Sequence, residues 1–272
     1  MGGTQSPSGV RDVKSAARTV ELLELLAARE NRPTTLRELS ESLDAPRSSV
    51  YALVRTLIDR GWVRADASGT RYSIGIRTLL AGTTYLDTDE RLRLVRPHLH
   101  TLNADLDETI HFGRLNRGDI VYLATKESTR YLRPYSRVGR RLPAYSTAMG
   151  KALLADRAGP NLDENLPRAA VALTPNTRVS HEDLLRELES VRELGYAVDH
   201  EENSVGVACV AVALRYTSPA VDAISCSLPA STLTAERMNE LVTSLIRVRH
   251  GIEDVVSRTR PPGPESSTSQ AG

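Results

Sequence analysis

The chain holds 272 residues, 25% charged and 40% apolar, a balance typical of folded proteins and unlike that of disordered ones. With 35 Lys and Arg against 34 Asp and Glu, the net charge is only +1, so bulk charge is no argument for nucleic-acid binding and any basic surface has to be local. Two cysteines, Cys209 and Cys226, exclude a disulfide framework, and no apolar run nears the roughly 18 residues of a membrane span.

Both ends read as disordered tails. Residues 1–10 lack the apolar core of a secretory signal, and residues 258–272 bury too little apolar surface to offset the entropy of ordering them. A cytoplasmic location is therefore expected. A first helix is expected from Val13 to Arg29, with Val20, Leu23 and Leu26 as its apolar stripe and Leu22 and Leu25 widening it. Thr35 and Glu38 have capping-box spacing ahead of a short helix that buries Leu36, Leu39 and Leu43. After a turn at Asp44-Ala45-Pro46, a third helix is expected over 47–60. Its Val50, Leu53, Val54, Leu57 and Ile58 share one face, Ser48, Tyr51, Ala52 and Arg55 lie opposite, and Gly61 ends it. Trp62–Arg64 and Arg71–Ile74 read as strands around the turn Asp66-Ala67-Ser68-Gly69.

Three helices and a hairpin within residues 11–75 outline a winged helix-turn-helix. A helix fits the major groove, and its polar side meets base edges and phosphates. The candidates for that role are Arg47, Ser48, Ser49, Tyr51 and Arg55. Arg64 and Arg71 on the hairpin, with Arg11 and Lys14 before the first helix, are placed to reach backbone phosphate. On pattern alone a small helical domain with an ordinary polar face fits as well.

Residues 76–88 read as a connecting helix with Ile76, Leu79 and Leu80 on one side. From 89 to 257 helices and strands alternate. Leu92, Val95, Leu99, Leu102 and Leu106 mark a helix over 90–106. Thr109–Gly113 and Ile120–Thr125 read as strands around the turn Asn116-Arg117-Gly118-Asp119. A short helix over 147–155 follows, then one opened by Ser180 and Asp183 and stopped at Gly195. Val205–Leu214 reads as a strand buried on both faces, and Val221–Ser227 as another. Met238, Leu241, Leu245, Val248, Ile252 and Val255 mark a closing helix. The fold class is α+β, with a second unit of α/β character built on a mostly antiparallel sheet.

Three segments carry a family likeness. One is Leu36-Arg37-Glu38-Leu39 through Arg47-Ser48-Ser49-Val50, with Gly61-Trp62-Val63 and Arg71-Tyr72-Ser73-Ile74-Gly75. Another is the run from Val138 to Ala155, with Gly139-Arg140-Arg141-Leu142-Pro143 and Met149-Gly150-Lys151 within it. The last is Gly195-Tyr196-Ala197 with Asp199-His200-Glu201-Glu202 and Gly206-Val207-Ala208-Cys209-Val210-Ala211. From about Val13 to Val256 the chain resembles the IclR-type transcriptional regulators of bacteria. The resemblance implies a winged helix-turn-helix, a linker helix over 76–88 and a GAF-like effector domain that senses and does not catalyse. It implies double-stranded operator DNA and a small-molecule effector, an organic acid or similar metabolite, as partners. It also implies a homodimer or homotetramer acting as a repressor, with no cofactor, metal or membrane. Departures fall at Asp44, where such regulators often have Gly, at Tyr51 and Ala52, where they often have His and Arg, at Ala213 and Leu228, where Pro and Gly are usual, and around Arg215 and Tyr216.

By the same resemblance, the effector would be lined by Tyr131, Leu142, Ala148, Met149, Asp199, Cys209, Ser225 and Ser227. The chemistry fits: helix N-terminal amides attract an anion, and Ser225 and Ser227, two apart on a strand, share a side. Leu142, Met149 and Tyr131 would form an apolar wall that selects size. Cys209 also reads as an ordinary buried small side chain. Other chemistries fit less well. Gly150-Lys151 lacks the preceding Gly and following Ser or Thr of a phosphate loop, and His98 and His100 sit on different helix faces. His111, His200 and Cys209 lack zinc-ligand spacing. The rival reading is a cytosolic enzyme in which residues 90–256 carry the chemistry, against which stands the lack of any nucleophile–base motif.

Overall fold

The computed structural model describes residues 13–29, 32–130 and 138–259. They form two compact units that divide between Thr88 and Asp89. The first contains α1 (Lys14–Ala28), β1 (Thr34–Thr35), α2 (Leu36–Ser42), α3 (Arg47–Asp59), β2 (Val63–Ala65), β3 (Arg71–Ile74) and α4 (Ile76–Thr88). The capping box forms: the Glu38 N–H donates to the Thr35 hydroxyl at 3.3 Å, and the Thr35 N–H donates to the Glu38 carboxylate at 2.8 Å. Asp44 at φ 43° and Gly61 at φ 74° supply the left-handed residues that turn the chain into α3 and end it.

Leu22, Leu39, Val50 and Val54 are fully or almost fully buried at the centre of this unit. The expected stripe of α1 is shifted. Leu22 and Leu26, one turn apart, face the core, while Val20 is 56% exposed on the far side. Strand β1, too short to show a period, was not expected; Thr34 pairs with Tyr72 and extends the hairpin to three strands. The start of α4 is locked to the end of α3. The Gly75 N–H donates to the Trp62 carbonyl at 2.8 Å, and a side chain at Gly75 would place Cβ 2.3 Å from the Gly61 carbonyl oxygen.

The second unit contains α5 (Glu90–Leu106), β4 (Thr109–Asn116), β5 (Asp119–Lys126), β6 (Arg141–Pro143), α6 (Ala148–Leu154), α7 (Pro160–Asp163), α8 (His181–Leu194), β7 (Ala197–His200), β8 (Val207–Leu214), β9 (Asp222–Pro229) and α9 (Ala235–Thr259). The sheet order is β6-β5-β4-β9-β8-β7. Every neighbouring pair is antiparallel, so among the described residues the sheet is wholly and not just mostly antiparallel. The β4–β5 hairpin is longer than expected because Arg117 (φ 50°) and Gly118 (φ 82°) form a two-residue turn from which pairing runs to Ile110 and Lys126, with a register shift between Phe112 and Gly113. Val205 stands outside its expected strand and is 72% exposed. The short strands β6 and β7 were not expected. Helix α9 continues through Arg258 and Thr259, two residues into the segment read as a tail.

The register decides what each face of the sheet carries, since directly opposed residues point to the same side. One line runs Asp199, Cys209, Ser227, Thr109; the next runs Ala197, Ala211, Ser225, His111, Thr125; the third runs Ala213, Ala223, Gly113, Tyr122. Helix α6 packs on this face, where the alanines make room for it. At its own underside Gly150 is obligatory, since a Cβ there would lie 2.0 Å from the Ala144 carbonyl oxygen. Helices α5 and α9 cover the other face, where Ile110, Phe112, Val212 and Ile224 are fully buried.

Candidate functional site

In the first unit the apolar side of α3 is spent on the core, since Val50, Val54 and Leu57 are buried, with Leu53 and Ile58 half-buried beside them. The opposite side is left to solvent: Arg47 and Ser48 are exposed, Ser49 half-buried, and Tyr51 50% exposed. Arg55 is exposed and loosely paired with Asp59 at 3.9 Å, one turn on. Pro46 caps α3 without a side-chain hydrogen bond, so no capping side chain covers the first-turn amides. On the hairpin, Arg64 and Arg71 are exposed; the Arg64 guanidinium donates to the Ser73 hydroxyl at 2.8 Å, which fixes its direction. The hairpin turn is held by Asp66, whose carboxylate accepts from the Arg71 N–H, the Ser68 hydroxyl and the Thr70 N–H, and these bonds, that of Arg71 first, hold its carboxyl below the usual range. Lys14 is exposed, while Arg11 lies outside the described residues.

In the second unit the structure brings Asp199, Cys209 and Ser227 into one line, with Ser225 in the next. The Cys209 thiol and the Ser227 hydroxyl are 2.7 Å apart. Asp199 is 3% exposed, and its carboxylate accepts from the Glu202 N–H at 2.7 Å. Burial pushes the Asp199 carboxyl up to about 6, against the pull of that N–H and of the Lys151 ammonium. Lys151 itself is fully buried and donates to Glu187 and Glu202, each at 2.6 Å, which holds the loop carrying Glu202 against α6.

Ala148 and Met149 belong to the apolar cluster under α6, and Met149 fills the space a side chain at Gly113 would need. Leu142 is not brought to this line. It sits half-buried on the edge strand β6 opposite Ile120, five strand steps from Asp199, about 24 Å along the sheet at the usual spacing. Tyr131 lies outside the described residues. The anion attraction expected of the α6 N-terminus is weakened by two facts. The helix is only seven residues long, and the Thr147 hydroxyl already accepts from the Gly150 N–H at 3.1 Å.

His111, Tyr122 and Thr125 were missed as neighbours of Ser225. His111 is 7% exposed, meets the Thr125 hydroxyl at 3.0 Å and stands edge-on to the Tyr122 ring, with centroids 5.1 Å apart. The alternation Thr109, His111, Gly113 against Ile110 and Phe112 held the signal, since it sets one polar side within a buried strand. The zinc grouping does not assemble: His200 pairs with Ala208 and faces away from Asp199. Among the described residues no three His, Cys, Asp or Glu side chains cluster as metal ligands.

Comparison with known proteins finds a match for each of the two units. The family model described as the IclR helix-turn-helix domain matches residues 15–67, and that of the bacterial transcriptional regulator IclR C-terminal matches residues 83–253. The chain is 34% identical to the HTH-type transcriptional regulator KdgR of Escherichia coli over 235 residues, 86% of this chain and 89% of that protein. It is 32% identical to the HTH-type transcriptional repressor AllR of Salmonella typhimurium over 241 residues, 86% of this chain and 87% of that one. A crystal structure of an IclR transcriptional regulator from Alicyclobacillus acidocaldarius superposes with a TM-score of 0.77 at 26% identity, covering 90% of this chain and 99% of that one. No helix among the described residues is long and apolar enough to cross a membrane. With a helix-turn-helix unit and an effector-binding unit each in place, the chain belongs to the IclR family of bacterial DNA-binding transcriptional regulators.

Proposed function

We propose that the protein is a cytoplasmic repressor, and not an enzyme, whose grip on an operator is biased by a small metabolite. The observation that carries the DNA half is the division of α3: one side packs the core, and the other leaves Arg47, Ser48, Tyr51 and Arg55 exposed to enter a major groove. Ser49 borders that side. Arg64 and Arg71 flank it on the hairpin and take backbone phosphate, which positions the helix without reading sequence.

The metabolite binds along the polar lines of the sheet, against Asp199, Cys209, Ser225 and Ser227, with Ala148 and Met149 forming its apolar floor. The family likeness adds Tyr131, which lies outside the described residues, and Leu142, which stands apart from these lines on the edge strand β6. Hydroxyl, thiol and imidazole groups suit a small organic acid or similar oxygenated metabolite. Such a ligand shifts DNA affinity only through different affinities for two arrangements of the regulator.

The regulator acts as a homodimer or homotetramer. Helix α4 buries none of its side chains within its own unit, and its Ile76, Leu79 and Leu80 are each more than half exposed, an apolar stripe suited to a second copy. A dimer predicts a pseudo-palindromic site with half-sites about 10 base pairs, or a multiple, apart.

The test is selection of duplexes from a random library by the full-length chain, followed by gel-shift titration. Specific binding should weaken steeply with salt as condensed counterions are released. Arg47→Ala with Arg55→Ala should weaken it by about tenfold or more without moving the unfolding midpoint. Enrichment of no sequence at low salt would sink the reading.

A further inference from the structure

The polar lines of the sheet lead to a partly buried ionic clamp on its other face. Arg114 on β4 is directly opposite Asp222 on β9, three residues from His111 and Ser225 respectively. Its guanidinium donates twice to Asp222, at 2.6 and 2.9 Å, and twice to Asp89, closely through Nη1 and at 3.5 Å through Nη2. Asp222 is fully buried and also accepts from the Tyr216 hydroxyl at 2.5 Å. Asp89 also caps α5, accepting from the Leu92 N–H at 2.8 Å. It is the residue that follows the last residue of α4 as well. At its other end α4 is locked to the end of α3 through Gly75 and Gly61.

We infer that the Asp222–Arg114–Asp89 clamp couples the effector lines of the sheet to the DNA-binding helix. The physical reason lies in the geometry of the fork. A guanidinium forked between two carboxylates is stiff, and one of them, Asp222, is fully buried with no water to replace it. A displacement of β9 against β4 near Ser225 therefore moves Arg114, and Asp89 moves with it. Because Asp89 caps α5 and is the residue directly after α4, that movement is passed along the chain leading to α3. The proposal deepens the functional reading above and rests on it.

The test uses the full-length chain, a duplex it has itself enriched from a random library, and an occupant forced onto the sheet. In a Cys226→Ala background, Cys209 is the sole thiol and is capped with methyl methanethiosulfonate, forming a mixed methyl disulfide and releasing methanesulfinate; mass spectrometry gives the stoichiometry. Ser225→Leu supplies a second occupant that needs no reagent. Either occupant should change the affinity for the duplex by about tenfold, a normal size for allosteric coupling. In Asp89→Asn, which keeps a capping oxygen but loses the charge that Arg114 holds, the change should shrink below about twofold while affinity without the occupant stays near that of the parent. Arg114→Lys, which cannot grip both carboxylates as a fork, should behave the same way. An undiminished response in folded Asp89→Asn and Arg114→Lys chains would overturn the clamp. So would the lack of any response to either occupant in the parent chain. Failure to enrich any duplex is a different outcome and would remove the DNA-binding reading on which the clamp depends.

Discussion

The two recognition surfaces proposed for this regulator are built on opposite plans. The side of α3 proposed to meet DNA is a continuous stretch of one helix, solvent-exposed, with Arg55 only loosely paired to Asp59. The proposed effector lines are largely buried, assembled from the consecutive strands β7, β8 and β9 and the much earlier β4, and held by hydrogen bonds such as that between Cys209 and Ser227. The contrast follows from the ligands. A duplex is large and charged, so it is met by solvated cations that exchange counterions for phosphates. A small metabolite has to be enclosed, so its site is made of side chains already desolvated and fixed.

The comparison can be broken most forcefully at α6. Gly150→Ala would push a methyl into the Ala144 backbone, a clash with no flexible side chain to give way. The expected loss is about 4 kcal/mol or more in the effector unit. Calorimetry should show that unit's transition lost or far lower, while the fluorescence of Trp62, the chain's only tryptophan, still reports a folded DNA-binding unit. An unchanged midpoint would mean that α6 does not pack as described. The mirror experiment is Leu22→Ala, which opens a cavity in the other core at a cost of about 2 to 5 kcal/mol. Here the Trp62 signal should shift and the effector unit should not.

A subtler test uses pH, because the units respond in opposite directions. Asp199 titrates near 6 when folded against an ordinary 3.8, so the native state binds its proton more tightly. Its favourable contribution is present below about 4 and is lost as pH rises through about 6, a change of order 1 to 3 kcal/mol. Asp199→Asn should flatten that slope in urea unfolding followed between pH 4 and 7. Glu38 is held down to about 2 by the Thr35 N–H first, then by the Thr34 hydroxyl. Its contribution is present above about 4.5 and fades only as pH falls toward 2. Glu38→Gln should therefore remove a small acid-side loss in the Trp62 transition and leave the neutral range alone. A common pH profile for both units would contradict the distinction.

Much of this protein was decided locally. The capping box of α2, the left-handed turn at Asp44, the stop at Gly61 and the apolar side of α3 follow from contacts within a few residues, where spacing and backbone sterics dominate. For the same reason the solvent side of α3, and with it the DNA-binding candidates, could be read as the complement of its apolar positions. The effector lines could not be read that way. Which strand lies beside which is a matter of long-range pairing, and a single-residue change of register exchanges the two faces of a strand. Only the folded sheet put His111 beside Ser225, moved Leu142 to a distant edge and set Arg114 opposite Asp222, because those neighbours are chosen by burial and ladder hydrogen bonds that no short window of sequence contains.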